Sequence, residues 1–240
     1  MQDTRAFEDH SIVSRSTWLE ARRALLAREK ELTRQRDELS AARRALPWVR
    51  VEEAYQFDTV EGSRTLAELF GGKSQLLMYH LMFGPESEAA CKSCSFWADN
   101  FNGITAHLAQ RDVRMIAVSR GPVPKLQTFA RRMGWSFPWV SSLGSRFNFD
   151  FGVSFTPEEL STGQIAYNYG KHGAHTSEMP GISVFARDAG GNVFHTYSCY
   201  SRGIEAMNGA YQYLDLLPRG RDEEGLPFPM AWLRHHDQYE

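Results

Sequence analysis

Cysteine is scarce in this 240-residue chain: there are three, far too few for a disulfide scaffold. No run of about 18 apolar residues occurs, so no membrane-spanning helix is expected. Neither sign of charge dominates. With 27 basic and 29 acidic residues and a net charge of −2, the chain lacks the basic excess of a nucleic-acid-binding protein. The opening MQDTRAFEDH lacks the basic-then-apolar order of a secretory leader, which points to the cytoplasm. Internal repeats, low-complexity linkers and a second CxxC pair are missing too. What is present is a 42% apolar composition, enough to bury a core.

From Ser16 to about Leu46 the pattern is helical, with Trp18, Leu25, Leu32, Leu39 and Leu46 recurring every seven residues. The stripe is narrow, since Arg28 and Gln35 occupy other would-be core positions. It reads as an amphipathic helix over residues 1–47 that packs on its own domain or on a partner, and it leaves a homodimer open. The interleaved Arg and Glu of this segment make a solvated face, not a phosphate patch. Extended stretches follow at Trp48–Val51 and Tyr55–Phe57, then a short helix at Thr65–Phe70. A strand from Gln75 to Met82 is apolar on both faces, as a central strand beneath helices should be. A helix is expected from about Ser95 to Gln110, a buried strand at DVRMIAVSR, a helix at Pro124–Met133 and a strand around Phe137–Val140. Residues 141–179 read as an irregular insertion. The strands GISVFARD and NVFHTYSCY form a hairpin, a helix covers about Ile204–Leu214, and residues 217–240 are an extended C-terminal extension. Strand, helix, strand, helix, hairpin, helix over residues 48–216 is an α/β sandwich with a mixed sheet flanked by helices.

Within HLMFGPESEAACKSCSFWADNF, two of the cysteines stand three apart: Cys91-Lys92-Ser93-Cys94. In a reducing compartment such a pair is catalytic or metal-bound more often than structural. A cysteine at the start of a helix faces unpaired backbone N–H groups and the positive end of the helix dipole, which favour thiolate over thiol. Lys92 adds positive charge beside it. Cys94, one turn on and more buried, is placed to resolve a mixed disulfide formed by Cys91. Met179 and Pro180 stand directly before the strand GISVFARD.

From Thr65 to Leu214 this order resembles thioredoxin-like proteins, particularly the peroxiredoxin and extracytoplasmic thiol-reductase branch. Nearly the whole chain resembles a bacterial thioredoxin-like family labelled a domain of unknown function or predicted dithiol-disulfide isomerases. The stretches that carry this are CKSCSFWADNFNG, VSRGPVPKLQTFARRMGWSFPWVSS, FNFDFGVSF, PGISVFARD, MNGAYQYLDL and GLPFPMAWLRHHDQY. The resemblance implies a thioredoxin-like fold, thiol-disulfide oxidoreductase activity through Cys91 and Cys94, and a cis Met179–Pro180 bond. Met179, Pro180, Lys92 and Ser93 would then contact a protein or small-molecule disulfide, no cofactor would be needed, and a reductase of unknown identity would supply electrons. Two departures matter. Thioredoxin proper has Trp before its first active cysteine and Gly-Pro between the pair, where Ala90 and Lys92-Ser93 stand here. Peroxiredoxins carry Pro-x-x-x-Thr/Ser-x-x-Cys, where Gly84 and Glu88 stand, and a carboxylate there would raise the cysteine pKa. Thiol peroxidase is therefore the alternative enzyme reading.

A zinc or copper site, or partner binding on the same scaffold, is the alternative of another class. Zinc needs four donors, commonly from two close pairs. The candidates are the two cysteines, Cys199 and the histidines, of which His172 with His175 and His235 with His236 are closely spaced. No metal ligand is assigned among them. Cys199 reads as an inert strand cysteine. Trp135, Phe137, Trp139, Phe147, Phe149 and Phe151 read mainly as core, with part of the insertion lining a groove near Pro180. Asp99 and Asn100 are candidates to assist proton transfer, and the PMAWLRHHDQY tail is a candidate cover over the dithiol.

Overall fold

A computed structural model describes residues 10–239; the reading of the first nine residues as lacking a leader lies outside the described residues. In chain order the elements are α1 (Arg15–Arg44), β1 (Val49–Arg50), β2 (Gln56–Thr59), β3 (Gly62–Thr65), β4 (Gln75–His80), α2 (Lys92–Ala98), α3 (Phe101–Gln110), β5 (Val113–Ser119) and α4 (Val123–Arg132). These are followed by β6 (Trp139–Ser141), α5 (Phe147–Asp150), α6 (Pro157–Ser161), β7 (Gln164–Tyr167), β8 (Gly170–Gly173), β9 (Gly181–Arg187), β10 (Val193–Tyr200) and α7 (Gly209–Leu214).

The chain divides into two compact units, Met1–Pro47 with Leu214–Asp222, and Trp48–Tyr213 with Glu223–Glu240. In the first, Ser14 caps α1 by accepting from the Thr17 N–H, and Arg43 and Arg44 complement the dipole at the far end. The helix stops before Pro47, whose ring disfavours helical backbone at the preceding residue. No residue of α1 is buried, and Trp18, Leu25, Leu32 and Leu39 are 47–51% exposed, so the heptad stripe is only half covered.

The second unit is built on an eight-stranded sheet in the order β1-β10-β9-β4-β5-β6-β2-β3. β4, β5 and β6 run parallel, while β9 lies antiparallel to β4 and β10 antiparallel to β9. This mixed α/β sheet, with the parallel pair β4–β5 separated in sequence by the cysteine-bearing helix and the β9–β10 hairpin beside β4, is the thioredoxin-like arrangement. Alternation along β4 divides its side chains between two faces. Leu76 and Met78 enter a core with Phe57, Phe70, Phe147 and Phe185, and Tyr79 faces α2.

Several boundaries differ from the sequence reading for local reasons. The helix expected at Thr65–Phe70 is a 3₁₀ turn at Glu68–Phe70, because Gly62–Thr65 pairs with Gln56–Thr59 as an exposed hairpin. The helix expected at Ser95–Gln110 is two, α2 and α3. At the break the Asn100 amide donates to the carbonyls of Phe96 and Trp97, competing with the backbone. The insertion is not irregular: it holds α5, α6 and the β7–β8 hairpin, and Thr156 with Glu159 forms a capping box on α6. Its strands were hidden because GKHG is polar and exposed throughout. The helix expected at Ile204–Leu214 begins as a 3₁₀ segment at Ser201–Met207 and becomes α-helical only at Gly209. Among the described residues no helix is long and apolar enough to cross a membrane.

Candidate active site: a dithiol opening on an apolar cavity

Gly84-Pro85 prevents helix in the loop after β4, and the chain stays irregular until Cys91. The Lys125 ammonium holds this loop by donating to the carbonyls of Pro85 and Ser87, each at 3.3 Å. Cys91 is the N-cap of α2, in extended conformation, and its carbonyl accepts the first helical bond from Ser95 at 2.9 Å. Its own N–H donates to the Met82 carbonyl at 3.0 Å, tying the helix start to the loop leaving β4. Cys91 is partly exposed, Cys94 is buried, and both are free thiols.

The pair is electrostatically split. Cys91 is lowered to about 6, chiefly by the hydrogen bond from the Cys94 side chain, with the backbone N–H groups of Cys94 and Ser93 and the Ser93 hydroxyl adding to it and burial opposing. Cys94 is pushed well above the ordinary thiol range by burial first, then by the bond it donates to Cys91 and by that neighbour's charge. One sulfur is thus an anion near neutral pH and the other holds the proton. The exposed Lys92 is not among the causes that lower Cys91, so hydrogen bonding from Cys94 and Ser93 replaces its expected role.

A cavity of about 250 Å³ opens beside the sulfurs. Its apolar wall includes Met82, Trp97, Met179, Pro180, Ile204 and Met230, and Ser93 and Tyr167 face it with polar groups. Met179, Pro180 and Ser93 are therefore brought to the dithiol as the sequence suggested, while Lys92 is not part of the lining. The sequence reading missed Met82, Trp97, Tyr167 and Ile204, whereas Met230 belongs to the tail it offered as a cover. Tyr167 carried a signal, because Ile165 and Tyr167 alternate with exposed Gln164 and Ala166.

The expected cis bond at Pro180 is corrected, since no cis peptide occurs among the described residues. The reason is visible in the pairing. The Met179 N–H donates to the Val153 carbonyl at 2.8 Å, the Pro180 carbonyl accepts from the Tyr167 hydroxyl at 2.7 Å, and Gly181 enters β9 opposite His80. An already extended chain leads straight into the strand, where a proline gives up no needed donor. Glu178, just upstream, is buried and receives Ser154 Oγ at 2.8 Å and Arg120 at 3.2 Å.

The expected effect of Glu88 is also corrected. Its carboxylate is turned to solvent on Lys125, and the sulfur it was expected to burden is lowered, not raised. Asp99 accepts from Trp135 Nε1 at 2.7 Å and is paired with His236 at 2.8 Å, and Asn100 serves the helix break; neither lines the cavity. The tail does come over the site. His235 donates from Nε2 to the Ala90 carbonyl at 2.9 Å, immediately before Cys91, and Met230 reaches the cavity wall. Among the described residues no three His, Cys, Asp or Glu side chains gather to hold a metal. His172 meets the edge of Tyr167, and His235 and His236 are engaged as above, so the zinc or copper reading finds no donor set there. Cys199 is buried on β10 opposite Ile182.

Residues 7–239 match the family model described as "Bacterial protein of unknown function (DUF899)". The chain belongs to this family. No curated protein matches the DUF899 chain in sequence. Among solved structures it is similar to peroxiredoxin Q of Xanthomonas campestris, at 13% identity over 70% of this chain and 98% of that one, with a TM-score of 0.46. It is also similar to the peroxidoxin BcpB of Mycobacterium tuberculosis, at 16% identity over 68% and 90%, with a TM-score of 0.45. PrxQ of Xylella fastidiosa is 14% identical over 66% and 89%, with a TM-score of 0.40. At such distances no activity carries over.

The split pKa values make a testable statement about stability. A thiol lowered in the folded state contributes stability that is fully present above its unfolded value, about 8.5, and lost as pH falls through about 6. Cys94, raised in the folded state, does the opposite: its contribution is intact below about 8.5 and lost as pH rises beyond it. Reduced minus oxidised stability, measured by urea unfolding, is therefore expected to peak near pH 8.5 or so. It should fall toward pH 6 with a slope of up to about 1.4 kcal/mol per unit. Groups common to both redox states, such as the buried His80, held down to about 3 by desolvation, cancel in the difference. A flat difference between pH 6 and 8.5 would contradict the assignment of Cys91 as the anionic sulfur.

Proposed function

We propose that this protein is a dithiol oxidoreductase in which Cys91 attacks and Cys94 resolves, most directly by thiol-disulfide exchange. The observation that carries the reading is the placement of the pair: Cys91, partly exposed, is the N-cap of α2, Cys94 is buried one turn later, and both line one cavity; the lowering of Cys91 agrees with it. Attack on a disulfide by Cys91 releases one thiolate and leaves a mixed disulfide. Cys94 then attacks Cys91, releases the second thiolate and closes an intramolecular disulfide. Its high proton affinity keeps it idle until the anionic Cys91 sulfur beside it has been consumed. The bond to Cys91 and that neighbour's charge, which add to the effect of burial, are then gone.

A second reading, reduction of hydroperoxides, is supported by one placement. Glu88 points to solvent and the Ser93 hydroxyl hydrogen-bonds Cys91, so a hydroxyl donor stands at the sulfur although the notional clamp position lacks one. Both readings require the same reversible disulfide. Redox titration with mass detection of the thiols is expected to show one two-electron transition joining Cys91 to Cys94, between about −300 and −120 mV. Absence of that disulfide across the range, or its formation with Cys199 instead, would remove both.

A further inference from the structure

We propose that the substrate of this dithiol is a small molecule carrying an apolar group, and that polypeptide disulfides are excluded by the chain's own insertion. The inference rests on the dithiol reading above and adds the class of molecule that reaches Cys91.

An extended polypeptide docks beside a reactive group by adding a strand, and for that it needs free backbone N–H and C=O groups along an edge. The extended backbone facing Cys91 is the run through Met179 and Pro180 that leads into β9. Its N–H groups are spent, and so are the carbonyls of Ser177 and Pro180. The Phe155 N–H donates to the Ser177 carbonyl at 3.0 Å, Ser154 bridges Glu178 in antiparallel fashion, and the Met179 N–H donates to Val153 at 2.8 Å. Residues 153–155 of the insertion thus lie where an added strand would lie. Pro180 has no N–H to offer, and its carbonyl takes the Tyr167 hydroxyl, which in turn accepts from the Ser201 N–H at 2.8 Å. A peptide entering here would have to break these bonds without replacing all of them, and each buried group left unpaired weakens its binding.

The space that remains suits a different molecule. At about 250 Å³ the cavity falls just below the roughly 300–1,000 Å³ of pockets for drug-sized ligands. Thioether, indole and aliphatic side chains dominate the wall, so an apolar substituent gains most from entering. Met230 closes one side from the tail, and the charged Arg202–Glu205 pair, with the guanidinium in solvent, stands at the lining without leaving a lone charge to bind. For a disulfide RSSR, the Cys91 thiolate takes one sulfur and RS⁻ departs. Cys94 then closes the ring and gives up its proton, so that one RSH and one RS⁻ form, the latter taking its proton from water according to its pKa; the substrate gains two electrons and the protein loses two. A dithiol reductant restores the pair.

The test compares single-turnover rates of the reduced full-length protein with 2,2′-dithiodipyridine and with insulin, each divided by the rate of dithiothreitol with the same probe. The normalised rate is expected to favour the small disulfide by about a hundredfold or more. Met230→Trp, and independently Met179→Phe, fill the cavity and are expected to lower the dithiodipyridine rate about tenfold. Equal normalised rates, or a preference for insulin, would overturn the small-substrate proposal while leaving the dithiol reading intact, as would two filling variants that change nothing. If neither probe is consumed in a Cys91-dependent way, the dithiol reading itself falls and the proposal with it.

Discussion

Cys91→Ser is expected to reduce the rate of disulfide reduction by about a thousandfold or more, because no other sulfur among the three is both anionic and accessible. A serine hydroxyl at this N-cap keeps the local structure, since Ser is among the preferred capping residues, so the loss should come without unfolding. Cys94→Ala separates the second role. It removes the donor that contributes most to lowering Cys91, and a hydrogen bond to a charged group is worth about 1.5–3 kcal/mol. The midpoint of Cys91 alkylation with iodoacetamide should accordingly move up from about 6 by roughly one to two pH units. The same variant should accumulate the mixed disulfide with substrate, because no resolving thiol remains. A Cys91→Ser protein that retains full activity, or a Cys94→Ala protein whose alkylation midpoint does not move, would show that the pair is not coupled as described. Cys199→Ser is the internal comparison, and its buried position on β10 predicts no change in either measurement.

What the sequence made legible follows the strength of each physical signal. The apolar runs of β4, β5 and β9 are long and largely buried, and their order around the CxxC was enough to give the parallel pair and the hairpin that follows it. That Cys94 lies one turn beyond Cys91 and more buried also followed from their spacing, while the helix begins at Lys92, three residues earlier than expected. Three things did not follow. The strands β3 and β8 are short and lack any fully buried residue, so they lack the hydrophobic alternation that reveals a strand. The cavity wall is assembled from residues far apart in the chain, such as Met82, Trp97, Tyr167 and Ile204, which only the tertiary fold brings together. And the geometry at Pro180 is set by the insertion, whose bond from Met179 to Val153 could not be inferred from the proline's place before a strand. The donor that most lowers Cys91 was likewise Cys94, a tertiary pairing of two sulfurs, where local sequence suggested Lys92.

Glu223 stands in the charged run RDEEG, which reads as solvated surface, yet its replacement is expected to be among the most damaging in the second unit. One of its carboxylate oxygens accepts from the Tyr211 hydroxyl at 2.6 Å, from Trp232 Nε1 at 2.8 Å and from the Met230 N–H at 2.9 Å. Tyr211 is fully buried on α7, and its ring meets Phe96 and Trp97 of the cysteine helix edge-on. Trp232 meets the same Phe96. The acceptor therefore joins the tail to the packing beneath the dithiol helix, and it also holds Met230, which has a left-handed backbone (φ 69°) that a non-glycine residue adopts only when held. Glu223→Ala leaves three donors without their acceptor, each costing about 1–3 kcal/mol where water cannot replace it, so a loss of about 3–5 kcal/mol in urea unfolding is expected. Glu223→Gln keeps an acceptor oxygen without the charge and should recover roughly half of that. In the alanine variant, release of Met230 unroofs the cavity, and the alkylation of Cys94 in the folded protein should become measurable. A loss below about 1 kcal/mol, with Cys94 still protected, would mean that the tail is held elsewhere, by Arg132 on Asp237 and by His235 on the Ala90 carbonyl.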